Sequence, residues 1–121
     1  MINKKNKIEK NTRQLFHGIH SKHLENKKSL KRLQKLIDTK RFGVKNNFFN
    51  EKVCLDAGCG SSYHGSINLI RLGAKKVTGM DLDNTILKNK KKLKKILNQN
   101  FSKLDIKIGS VLKMPFKKDF F

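Results

Sequence analysis

Apolar and polar positions follow two different rhythms along this chain. Residues 1–20 are polar and mixed, with Leu15, Phe16 and Ile19 as the only apolar cluster, and the first ten are expected to fray. Over 21–42, SKHLENKKSLKRLQKLIDTKRF sets Leu24, Leu30, Leu33, Leu36 and Ile37 at helical spacing, a narrow apolar stripe on a charged helix. GVKNNFFN (43–50) is a Gly/Asn-rich connection whose Phe48 and Phe49 are placed to tuck against the next segment of the chain. From residue 52 the rhythm shortens. KVCLDAG is an apolar run that ends at glycine, the signature of a buried strand. GSINLIRLGA (65–74) puts Ile67, Ile70 and Ala74 on one helical face, with Gly73 as the stop. KKVTGMDLD (75–83) is a second strand ending in acids, and 84–100 returns to helical spacing through Ile86, Leu87, Leu93, Ile96 and Leu97. KLDIKIGSVL (103–112) alternates Leu104, Ile106 and Ile108 with polar residues, a third strand. KMPFKKDFF then begins another apolar run, read as the start of a fourth.

Strand, helix, strand, helix, strand in this order is the first βαβαβ half of an α/β, Rossmann-like doubly wound sheet. Residues 1–50 form a basic helical segment before it, and 51–121 form the half-sheet itself. In this topology the first strand has a neighbour on one side only. A buried-type strand with an open edge invites aggregation, so the expectation is a fragment of a larger domain.

Charge changes this picture little. The 121 residues carry 29 Lys and Arg against 9 Asp and Glu, a formal net charge of +20. Such a chain adheres to polyanions through counterion release whatever its task. The excess is spread over both segments and is mostly lysine, with only four arginines, Arg13, Arg32, Arg41 and Arg71. Specific nucleic-acid sites lean on arginine and exposed aromatics, so a Lys/Asn compositional habit accounts for the bias at least as well as a dedicated nucleic-acid surface does. The lysines of 88–95 read as the solvated face of an amphipathic helix. No apolar run reaches membrane-spanning length and no signal-peptide core follows the basic N-terminus. Cys54 and Cys59 lie too close around one turn for a disulfide framework and point to a reducing compartment, the cytoplasm.

The candidate chemistry sits where a βαβ unit binds ligands, beyond the carboxyl ends of the strands. Three loops meet there: 56–65, 81–85 and 109–116. A dinucleotide fingerprint needs G-x-G-x-x-G; this chain has Gly58 and Gly60, then Tyr63 in place of the third glycine. No Gly-Lys-Ser/Thr run supplies a P-loop. Asp56 would also repel a pyrophosphate. A cationic cofactor without phosphates suits the loop better. S-adenosylmethionine carries a sulfonium, an ammonium and a carboxylate. Glycines let the backbone approach its amino-acid end, the helix N-terminus at 62–65 can take its carboxylate, and Asp56 can face its cationic side. Asp81, at the close of the second strand, has the spacing of an acid that binds ribose hydroxyls.

VCLDAGCGSS, VTGMDLD and IKIGSVLKMPF, in this order, resemble the first three motifs of the class I S-adenosylmethionine-dependent methyltransferases. The resemblance covers about residues 51–121. It implies that Asp56, Gly58 and Gly60, with Ala57 and Cys59 of the same turn, hold the methionine end of the cofactor. It implies that Asp81 binds the ribose, that Leu82 packs on the adenine, and that Ser110 and Val111 meet its edge. Two positions depart from the pattern: Ser62 stands for the usual third glycine, and Gly109-Ser110 for a frequent Gly-Asp. The family places acceptor-binding and catalytic residues after the fourth strand, so none is assigned here. The methyl acceptor is left as a small molecule or RNA, and the N-terminal helices as a candidate lid.

Two other functions compete: a non-catalytic basic RNA-binding module with a degenerate pocket, and an NAD(P)-dependent reductase of the same fold class. Several conspicuous residues have structural readings. Asp83 is placed as a helix N-cap. His17, His20 and His23 lack the i, i+4 pairing of zinc helices. Tyr63 and His64 are read as packing, and nothing near Cys59 activates it as a nucleophile.

Overall fold

A computed structural model describes residues 3–16 and 27–121. Three helices come first: α1 (Lys4–Phe16), α2 (Lys27–Leu36) and the single turn α3 (Thr39–Phe42). The half-sheet comes next as β1 (Val53–Ala57), α4 (His64–Arg71), β2 (Lys76–Asp81), α5 (Lys90–Leu97) and β3 (Leu104–Ile108). The strands are parallel in the order β1-β2-β3. Among the described residues β2 is therefore central, and β1 has a neighbour on one side only, as the sequence order requires.

One apolar cluster joins sheet and helices. Val77 of β2 and Leu104 of β3 pack with Ile67 and Ile70 of α4 and with Leu93 and Leu97 of α5. Successive right-handed crossovers in one direction place their helices on the same face of a sheet. α2 lies against α4, and its Leu30 packs on this cluster. The lysines of α5 stay exposed, and of its apolar residues Leu93 and Leu97 face inward while Ile96, expected on the same face, is 41% exposed.

Four expectations about elements change. Residues 4–10, expected to fray, lie in α1, although no described side chain of that helix is buried. The single helix expected over 21–42 is interrupted after α2, because Asp38 is extended (φ −144°, ψ 140°) and heads the separate turn α3. Aspartate competes with helical backbone bonds and favours such positions. Residues 84–100 are not one α-helix either. Asn84–Asn89 is 3₁₀, α5 follows, and Asn98 (φ 56°) ends it before a second 3₁₀ segment, Asn98–Lys103. The Ile86 carbonyl, which a regular α-helix would offer to the amide of residue 90, accepts instead from the buried Tyr63 hydroxyl at 2.7 Å. Finally, the C-terminal run forms no fourth strand. Phe116, Phe120 and Phe121 pack ring against ring, and Asp119 takes a left-handed conformation (φ 60°) incompatible with a strand. His17, His20, His23 and Leu24 lie outside the described residues.

Candidate functional site

The carboxyl end of β2 organises everything above the sheet. Its Met80 carbonyl accepts from the amides of Gly58 and Cys59, at 2.7 and 3.0 Å, which folds the loop after β1 back across β2. Its Asp81 carbonyl accepts from the amide of Gly109 at 3.0 Å and draws in the loop after β3. Such a fold-back needs left-handed backbone, and Gly58 (φ 75°) and Gly60 (φ 62°) provide it without a Cβ penalty.

The Asp81 side chain completes the turn. Its Oδ2 accepts from the Gly60 amide at 2.9 Å and its Oδ1 from the Asp83 amide at 3.0 Å. A carboxylate oxygen has two acceptor positions, so each oxygen keeps one for a ligand. Beyond it opens a cleft of about 350 Å³, the size range of small-molecule sites. Gly58, Gly60 and Ser61 line one side; Met80, Asp81, Leu82 and Asp83 form the floor; Gly109 and Val111 border the third loop. Thr12 and Arg13 of α1 reach the same cleft.

Of the residues expected at the site, Gly58, Gly60, Asp81, Leu82 and Val111 line one cleft. Asp56, Ala57, Cys59 and Ser110 do not line the cleft. Asp56 turns to the N-terminus of α4. Its Oδ2 accepts from the Ser66 hydroxyl at 2.7 Å, and the Ser66 amide donates to the same carboxylate. Gly65 passes so close that a Cβ there would lie 2.8 Å from Asp56 Oδ2. The helix N-terminus assigned from sequence to a cofactor carboxylate is therefore filled by the chain's own acid. Burial raises the Asp56 pKa, the two Ser66 bonds lower it, and the charge of Asp81 adds a smaller upward push. Cys59 is buried under the glycine turn, where burial and the charges of Asp56 and Asp81 push its thiol pKa far up. A thiol so placed is protonated and inert. The Ser110 hydroxyl accepts from the Leu112 amide at 3.1 Å, shaping its own loop.

The structural readings fare well. Asp83 caps the following segment through Oδ1 and the Thr85 amide at 3.0 Å. Tyr63 and His64 are buried in packing. Asn89 Nδ2 donates to the Ser61 carbonyl at 2.6 Å and ties the far end of the glycine loop to the 3₁₀ segment. Cys54 and Cys59 are free. Among the described residues no group of acids, histidines and cysteines could hold a metal ion, and no helix is long and apolar enough to cross a membrane. Sequence reasoning assigned no ligand contact to six lining residues, among them Asp83, read as a cap, and Gly109 of the third loop. Ser61 and Met80 adjoin motif residues and were within reach of it. Thr12 and Arg13 carried no signal, since only tertiary packing brings α1 to the loops.

A parallel half-sheet with a glycine fold-back after its first strand and an acid closing its second defines the class. The chain has part of a Rossmann-like fold of the kind found in class I S-adenosylmethionine-dependent methyltransferases. Solved structures bear this out. A candidate S-adenosyl-L-methionine-dependent methyltransferase from Methanococcus maripaludis superposes with a TM-score of 0.59 at 22% identity, over 84% of this chain and 46% of that one. A candidate RNA methyltransferase from Pyrococcus horikoshii gives a TM-score of 0.52 at 20% identity, over 97% and 55%. The MccD protein gives 0.51 at 18%, over 65% and 34%. The chain thus spans about half the length of the first of these structures. By sequence, no protein-family model and no curated protein matches it.

Proposed function

We propose that this chain is the cofactor-binding half of an S-adenosylmethionine-dependent methyltransferase of the cytoplasm. The observation that carries the reading is the shared opening of Gly58, Gly60 and Asp81 onto one cleft. The residues fit the cofactor: a Cβ built at Gly58 meets nothing within 4 Å, so this position leaves room for a ligand against the backbone. Asp81 would take the two ribose hydroxyls on its remaining acceptor positions, with Leu82 and Val111 against the adenine. Asp56 speaks against a nicotinamide dinucleotide, because its carboxylate stands at the helix N-terminus where a pyrophosphate would need to lie.

When bound, the cofactor supplies an electrophilic methyl group on a sulfonium. The residues of this chain position it: the backbone at 58–60 holds one end and Asp81 the middle. Holding reactants in line lowers the barrier chiefly through orientation. The acceptor, a small molecule or RNA, is left to residues outside this half-sheet, and α1 with its Thr12 and Arg13 is read as the cover of the cleft.

Calorimetry with S-adenosylhomocysteine tests the proposal. The wild-type chain is expected to bind, Asp81→Asn to bind about tenfold or more weakly, and Asp81→Ala not measurably, since truncation removes the charged acceptor altogether. Wild-type protein that is folded by circular dichroism and ignores the nucleoside, or an Asp81→Ala variant that binds it at full strength, refutes the assignment.

A further inference from the structure

Charge in the cleft is unevenly committed. Its two acids already serve the protein: Asp81 receives the amides of Gly60 and Asp83, and Asp83 receives the amide of Thr85. Arg13 is the sole basic side chain among the described residues that line the cleft. No hydrogen bond or ion pair joins its guanidinium to another described residue. The other positive pole near the glycine turn, the N-terminus of α4, is already capped by Asp56 through Ser66.

Burial does not account for the place of α1. None of its described side chains is buried, and Ile8 and Leu15 remain 48% and 69% exposed. Its link to the site is the pair Thr12 and Arg13, in the last turn, where the helix dipole also favours a cation. A ligand carboxylate entering this cleft must find a cationic or donor partner, or its desolvation is uncompensated. Guanidinium suits the role because its planar fork matches a carboxylate two-for-two.

We propose that Arg13 receives the α-carboxylate of the S-adenosylmethionine amino-acid end, making α1 part of the cofactor site. This rests on the reading of the cleft given under the proposed function. The assignment divides the ligand between two elements: the half-sheet holds the nucleoside and meets the amino-acid end through the backbone at 58–60, and α1 takes the carboxylate of that end.

Two nucleosides separate these contributions. S-adenosylhomocysteine carries the amino-acid end; 5′-methylthioadenosine has the same adenosine and thioether without it. In calorimetry on the full chain, Arg13→Ala is expected to weaken S-adenosylhomocysteine about tenfold or more and to leave 5′-methylthioadenosine unchanged. Arg13→Lys is expected to recover part of the loss, because it restores charge without the fork. Equal weakening of both nucleosides, or of neither, overturns the role of Arg13 while the cofactor reading stands. Wild-type protein that binds neither nucleoside overturns both. The thermal melt of Arg13→Ala should match wild type, since the side chain supports nothing buried.

Discussion

Asp56 carries its charge where water is scarce, and the balance of forces on it can be read out by titration. Burial exceeds the help from Ser66, so its native pKa lies above the usual 3.8. The folded chain then holds this proton to higher pH than the unfolded chain does. Protonation favours the fold: the contribution is complete below about pH 3.8 and is lost as pH rises through the elevated native value. Asp56→Asn is expected to remove this limb, seen as a pH-dependent difference in melting temperature between variant and wild type. A difference constant from pH 3 to 7 would mean that Ser66 fully offsets burial. The direction of Asp56 was legible in principle. Side chains on a strand alternate between faces, and Cys54, two residues earlier, packs against the helix-side core. The composition of the glycine motif drew attention to the cleft instead, and parity along the strand decided the matter.

At the scale of elements, β2 and α4 meet through an absence. A Cβ at Gly79 would stand 3.2 Å from Ser66 Oγ, 3.2 Å from Tyr63 Cε1 and 3.3 Å from Cys59 Sγ. The missing side chain lets a fully buried tyrosine cross above the central strand to reach the Ile86 carbonyl. Gly79→Ala overpacks this contact and is expected to destabilise the protein by about 1–3 kcal/mol, measured by urea unfolding. A smaller change would show that the Tyr63 ring can yield. The three strands were legible because buried parallel strands read as apolar runs bounded by glycine or acids. The breaks in the helices were not, because local pattern does not reveal which carbonyl a distant hydroxyl will claim. Asp83 was the exception: its cap is a bond between residues two apart, and DLDNTI contains both.

On the scale of the whole molecule, the strand order and the glycine turn followed from sequence because each is set by short-range connection rules. The contribution of α1 to the cleft did not, because nothing in a polar, lysine-rich helix marks which of its cations will meet a pocket. The lysine excess itself follows the solvated faces: Lys90, Lys91, Lys94 and Lys95 all lie exposed on α5. The strand order has one more consequence. In a parallel pair each residue directs its N–H and C=O to the same side, and successive residues alternate. β2 is flanked on both sides, so its amides should resist deuterium exchange without interruption. β1 is flanked on one, so its five amides should divide: every second one protected, those between exchanging as if the strand were unfolded. A segment or partner that pairs with this edge would turn the alternating pattern into a continuous one, and an exchange experiment would report its arrival amide by amide.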